Sequence, residues 1–159
     1  VNIFYVDPDP VSAAKQLCDQ HVLKMQIESA QMLCTAHWET GGIAPYKRAH
    51  VNHPSTKWTR QSILHYRWLV KHGIAICEEF TRRYGNPHRT SEILKWLEEN
   101  EPNVPDTGFS PPPQCMPEEY KHEDTITAYK VFYAKDKVKV KGLNWKKSNN
   151  QPDWVTSYL

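Results

Sequence analysis

Five polar side chains on one stretch of chain have the types and spacing for acid–base work. His21, Lys24, Glu28, Gln31 and Thr35 recur every three, four or seven residues. At roughly 100° per residue they fall within about 80° of one another on a helix. Met25 and Met32 flank this stripe on one side, and Leu23, Ile27 and Cys34 on the other. A polar stripe between two apolar flanks suits a helix packed at both sides whose stripe lines a cleft. A carboxylate there, with a lysine one turn before it and a histidine two turns before it, can move a proton or stabilise positive charge. The same spacing also describes a solvated face with a Lys24–Glu28 pair, so the helix alone leaves both readings open.

A second constellation is basic. Residues 130–147 carry seven lysines against one acid, Asp136, a net +6 within a chain whose total is only +2. Tyr129, Phe132, Tyr133, Trp145 and Trp154 lie in and beside that segment. Lysine for phosphates and aromatics for stacking is the composition of a nucleic-acid surface. Aromatics on a terminal helix are equally often docking groups. Lys57, Arg60, Arg67, Lys71 and Arg82 form a further basic stripe, a candidate for phosphate contacts or a plain solvated face. His65 and His72 are one heptad apart, about 10 Å along a helix axis, too far to share a metal; core or edge positions are expected for both.

Helices must position these groups. Asp9-Pro10 reads as an N-cap with proline at the first helical position, and helical periodicity runs to about Trp38, before Gly41-Gly42. His53-Pro54 opens a second long helix that ends at Tyr84-Gly85. Thr90 or Ser91 caps a shorter one through about Asn100. Six prolines between residues 101 and 117 demand an irregular connection. Glu123 or Asp124 opens a fourth helix to about Lys135. Lys137–Lys141 alternates like a short strand or continues that helix. The expected fold is all-α: one compact domain over residues 1–159, with two long helices, two shorter ones and an aromatic–basic tail, 130–159, packed on it or extending from it.

The 159 residues suffice for a core without staples. The apolar runs are too short for a transmembrane helix, and the first residues lack the basic region of a signal peptide. Cys18, Cys34, Cys77 and Cys115 form no C-x-x-C motif, and the first three sit in apolar helical patterns. Buried free thiols in a reducing compartment are expected.

Asp19-Gln20-His21 followed by Glu28 resembles the start of the phage pyrimidine-dimer DNA glycosylase/AP-lyase family. His53-Pro54-Ser55-Thr56-Lys57-Trp58 is similar to that family's His-Pro-x-Thr-Lys opening of the second helix. The segment Cys77 to Asn86, the turn Met116-Pro117-Glu118-Glu119-Tyr120 and the Lys/Trp tail resemble later features in the same order. The resemblance implies a small all-α enzyme without cofactor or metal. Its N-terminal α-amine would attack C1′ of a deoxyribose, expel the base and form a Schiff base, after which β-elimination breaks the strand. An ordinary α-amine, with a pKa of about 7.7–8.0, keeps a useful neutral fraction at pH 7.

Carried over by position, Glu28 is the catalytic carboxylate, Val1 the amine and His21 a sugar- or phosphate-contacting neighbour. The candidate nucleic-acid contacts are Lys24, Gln31, His53, Lys57, Arg60, Lys137, Lys139, Lys141, Trp145, Lys146 and Lys147. Where the family has arginine immediately before the glutamate and three residues after it, this chain has Ile27 and Gln31. Its first residue is Val rather than a small polar Thr. The expected setting is a monomer on double-stranded DNA, away from membranes, in the cytoplasm (of the host cell if phage-encoded). Two other readings fit the same residues. One is an enzyme on this scaffold that processes another nucleobase without using the amine. The other is a non-catalytic nucleic-acid or virion protein.

Overall fold

Asp9 does what its position before Pro10 suggests: its carboxylate accepts from Ser12 N at 2.7 Å and caps α1, Pro10–Lys15. The computed structural model describes residues 1–159 and is all-helical. The long helices that follow are α2 (Asp19–Trp38) and α4 (Ile63–Tyr84), with α3 (Pro54–Gln61) before α4 and α5 (Thr90–Glu99) after it. After a 3-10 turn at Glu118–Tyr120 come α6 (Thr125–Phe132), a wide-turn π-helical stretch at Tyr133–Val140, and α7 (Asp153–Ser157). Helix α4 packs against α1, α2 and α5. At the α4–α5 contact a Cβ on Gly73 would lie 2.8 Å from Leu94 Cδ2, so a larger residue there would require the Leu94 side chain to shift.

Both expected long helices are interrupted, each by tertiary contacts. The first breaks at Gln16–Cys18. There Arg83 donates to Leu17 O (2.6 Å) and Lys15 O (3.1 Å), and Trp145 Nε1 donates to Gln16 O (3.1 Å). Tyr133 OH and Asn144 O satisfy the amides of Cys18 and Asp19, both at 2.9 Å. The second breaks at Ser62, which adopts an extended conformation, φ −146°, ψ 144°. Its hydroxyl caps α4 at Leu64 N while Pro105 O takes the Ile63 amide. Groups that an uninterrupted helix would bond internally are thus bonded from outside. With α3 and α4 separate, the basic stripe spanning Lys57 to Arg82 is not one face.

Residues 137–140 are helical, not a strand, and the wide turns end at the C-cap Lys141, whose N donates to Asp136 O at 3.0 Å. Asp124 caps α6, and Gly85 ends α4 with φ 85°. Cys18, Cys34 and Cys77 are buried free thiols. One core of 34 buried residues runs from Ile3 to Val155, so the tail is part of the body. His65 and His72 are buried against it, His65 stacked on Trp58 at 4.2 Å and His72 on Trp68 at 4.8 Å. No helix is long and apolar enough to cross a membrane.

Candidate active site

The lead segment delivers the chain's first residue to α2. Ile3, Phe4, Tyr5 and Val6 are all buried, with the Phe4 ring against His21 of α2 and against Tyr129 and Phe132 of α6. Asn2 anchors the start: its Nδ2 donates to Cys115 O at 2.9 Å, and its Oδ1 accepts from Tyr129 OH at 2.9 Å. Tyr129 OH also contacts Pro113 O. The proline-rich connection, α6 and the lead therefore meet at one point.

This anchoring sets the Val1 α-amino nitrogen 2.8 Å from Glu28 Oε1, with the two groups only 4% and 11% exposed. The amine is the sole polar partner of that oxygen. Lys24 Nζ lies 3.7 Å from the other carboxylate oxygen and is mostly exposed. His53 caps α3 through Nδ1, which accepts from Ser55 N at 3.1 Å. Burial first, and then the Val1 ammonium and His50, lower the His53 pKa, against an opposing pull from Glu28. His53 thus stays neutral more readily than a free imidazole beside the amine–carboxylate pair. An ammonium in direct contact with a carboxylate has a proton acceptor in reach, and the amine it leaves on losing that proton can act as a nucleophile.

His21 sits elsewhere. It is buried, stacked on Phe4 (centroids 4.6 Å apart, 14° between planes), and its Nδ1 bonds Tyr133 OH at 2.8 Å. Burial, reinforced by Lys137, Lys24 and Lys141, lowers its pKa to about 3. The imidazole is neutral at physiological pH and holds the lead, α2 and the π-helical stretch together. The position assigned to His21 as a sugar or phosphate contact is therefore interior packing.

The remaining expected contacts scatter. Lys57 and Arg60 line a groove of about 560 Å³ with Pro54, Trp58 and Ser110, where Arg60 is tied to Val51 O at 2.8 Å. Gln31 lies on a different groove with Lys47 and His88. Lys139, Lys141, Lys146 and Lys147 are exposed. Lys137 lies 4.8 Å over the Phe132 ring, and burial, then Lys141, depress its pKa. Trp145, expected among the nucleic-acid contacts, is 3% exposed and donates to Gln16 O, so its ring fills the core and offers no stacking face. Tyr129, Phe132 and Tyr133 are likewise buried docking groups. Of the two residues that hold the amine in place, Asn2 carried no signal in the sequence and Tyr129 stood out only as one aromatic of the basic segment. Their partnership spans 127 positions. No group of three or more His, Cys, Asp or Glu side chains is arranged to hold a metal ion.

The body is all-helical and sets the Val1 nitrogen against the carboxylate of Glu28 on α2. The family model for pyrimidine dimer DNA glycosylase matches residues 1–93, the part that contains the lead, α2 and α4. The chain belongs to that family. Its class of function is that of a pyrimidine dimer DNA glycosylase, with DNA as substrate. No curated protein matches the chain, and no solved structure does.

Proposed function

We propose that the protein removes damaged pyrimidines from double-stranded DNA, as a monomer, with Val1 as nucleophile and Glu28 as its proton acceptor and charge stabiliser. The observation that carries this reading is the 2.8 Å contact between the Val1 nitrogen and Glu28 Oε1. Glu28 takes a proton from the amine. The nitrogen bonds to C1′ as the glycosidic C1′–N bond breaks, and the base leaves with that electron pair and takes the proton held by Glu28, whose carboxylate is charged again. The alkylated nitrogen then loses a proton by way of Glu28 to O4′, whose bond to C1′ breaks with its electron pair, giving an iminium between the Val1 nitrogen and C1′. Loss of a C2′ proton expels the 3′ phosphate. The Glu28 carboxylate faces the positive charge at C1′ in both stages. The target nucleotide must leave the stack for the amine to reach C1′.

The test is borohydride trapping on duplex oligonucleotides carrying a cyclobutane pyrimidine dimer or an abasic site, with the adduct mapped by mass spectrometry. The expected result is a covalent adduct on the Val1 nitrogen, lost when that amine is acetylated. Absence of an adduct on either duplex, with Val1 sequenced as the free first residue of the native protein, overturns the mechanism. An adduct on abasic DNA alone redirects it to another base.

A further inference from the structure

On the Glu28 side of α2, Ile27 and Gln31 floor a groove of about 420 Å³. Gln31 follows Glu28 by three residues, one helical turn and about 4.5 Å along the axis. One wall is the loop bearing Lys47 and Arg48, and the other is His88 and Arg89 at the start of α5. Lys47, Arg48 and Arg89 reach solvent, and no carboxylate lines the groove. Arg48 is held at its rim by Glu39 (2.8 Å), whereas Lys47 and Arg89 have no ion-pair partner.

The walls are fixed. Trp38 Nε1 donates to Tyr46 O at 2.9 Å, and Thr35 Oγ1 bonds both Ala49 O (2.9 Å) and Ala49 N (3.0 Å). Tyr46 OH bridges to Thr90 Oγ1 at 2.8 Å, tying the loop to α5 beneath the groove. An open trough with a neutral floor and cations on both walls matches a chain of phosphodiesters rather than a small enclosed ligand.

We propose that this groove binds the DNA backbone beside the nucleotide under attack, with Lys47 and Arg89 as the phosphate contacts and Gln31 as a neutral hydrogen-bonding floor. The proposal rests on DNA being the substrate. It does not need the Val1 chemistry. It is tested with a duplex carrying a tetrahydrofuran abasic analogue, which cannot form a Schiff base, titrated over a series of salt concentrations.

For Lys47→Ala/Arg89→Ala the expected result is a Kd raised at least tenfold. The slope of log K against log salt should be shallower by about 2, at roughly 0.9 for each phosphate no longer neutralised. Lys15→Ala/Lys95→Ala removes the same charge from exposed positions outside the groove and should change Kd less than threefold; thermal melts establish that both variants are folded. Equal losses of affinity in the two double variants, or an unchanged slope in the first, overturn the groove. Borohydride trapping of the unsubstituted protein is read separately, so failure of the amine mechanism is recorded without touching the groove.

Discussion

Glu28→Gln separates charge from shape, since the two side chains are nearly isosteric. The Val1 nitrogen lies 2.8 Å from Oε1, and a new N–C1′ bond adds about 1.5 Å. The carboxylate is therefore within roughly 4 Å of C1′ when positive charge develops there. At 4 Å a unit charge pair is worth about 4 kcal/mol at an effective dielectric constant of about 20. Once the amine has given up its proton no ammonium remains, so this attraction arises only as charge develops at C1′, and about 3–4 kcal/mol of it is ~10²–10³-fold in rate. The assay is single-turnover base release from a dimer-containing duplex at saturating protein, beside a binding isotherm on the same duplex. The expected outcome is a rate lower by that factor with Kd changed less than threefold. A loss under tenfold with Kd unchanged would refute the electrostatic argument. A rate loss that disappears at higher protein concentration would show Glu28 acting in binding instead.

Three other perturbations act on buried groups. Tyr133→Phe leaves the Cys18 amide and His21 Nδ1 without the hydroxyl that both bond. At about 1–3 kcal/mol for each orphaned group, unfolding in urea should show a loss of about 2–6 kcal/mol, and a loss below 1 kcal/mol would mean the network contributes little. His21 and His72 have folded pKa values lowered to about 3 and about 4, below the ordinary 6.5. Unfolding therefore takes up protons as pH falls below 6.5, and stability declines on acidification. Between pH 7 and pH 5 each costs about 2 kcal/mol, a Tm fall of roughly 8–16 °C for both together; a Tm that is flat over that range contradicts the assignment. Trp145→Ala should destabilise by about 3–5 kcal/mol, while Trp145→Phe should bind DNA as the unsubstituted protein does. A tenfold weaker affinity for the folded Trp145→Phe protein would mean the ring contacts DNA after all.

The amine–carboxylate pair was half legible. Glu28 stands out on α2 because its flanks are apolar and its stripe is polar, and periodicity carries that signal. Val1 entered only through the family resemblance. Nothing local in Val-Asn-Ile says that Asn2 will bond Cys115 O and Tyr129 OH and turn the amine inward. His21 misled because a histidine on a polar stripe looks solvent-facing, and the Phe4 ring that covers it comes from a segment seventeen residues earlier. Trp145 misled for the same kind of reason: its place among lysines describes its neighbours in the chain, not the Gln16 carbonyl it bonds. The cationic groove escaped notice because Lys47 and Arg89 are 42 positions apart and no periodicity links them.

By itself the sequence determined whatever depends on neighbours within a few residues. Asp9, His53 and Asp124 cap their helices from the cap position, Gly85 supplies the positive φ that ends α4, and the prolines of 101–117 forbid a helix. The helix types and their approximate ends follow from those interactions. Only the tertiary structure decided where the long helices break. A backbone carbonyl or amide leaves its helix only if something distant replaces the missing bond, and Arg83, Tyr133, Asn144, Trp145 and Pro105 do so here. The same physics placed the amine. The break before Asp19 and the buried lead let the first residue reach Glu28, well inside α2, across a distance of 2.8 Å.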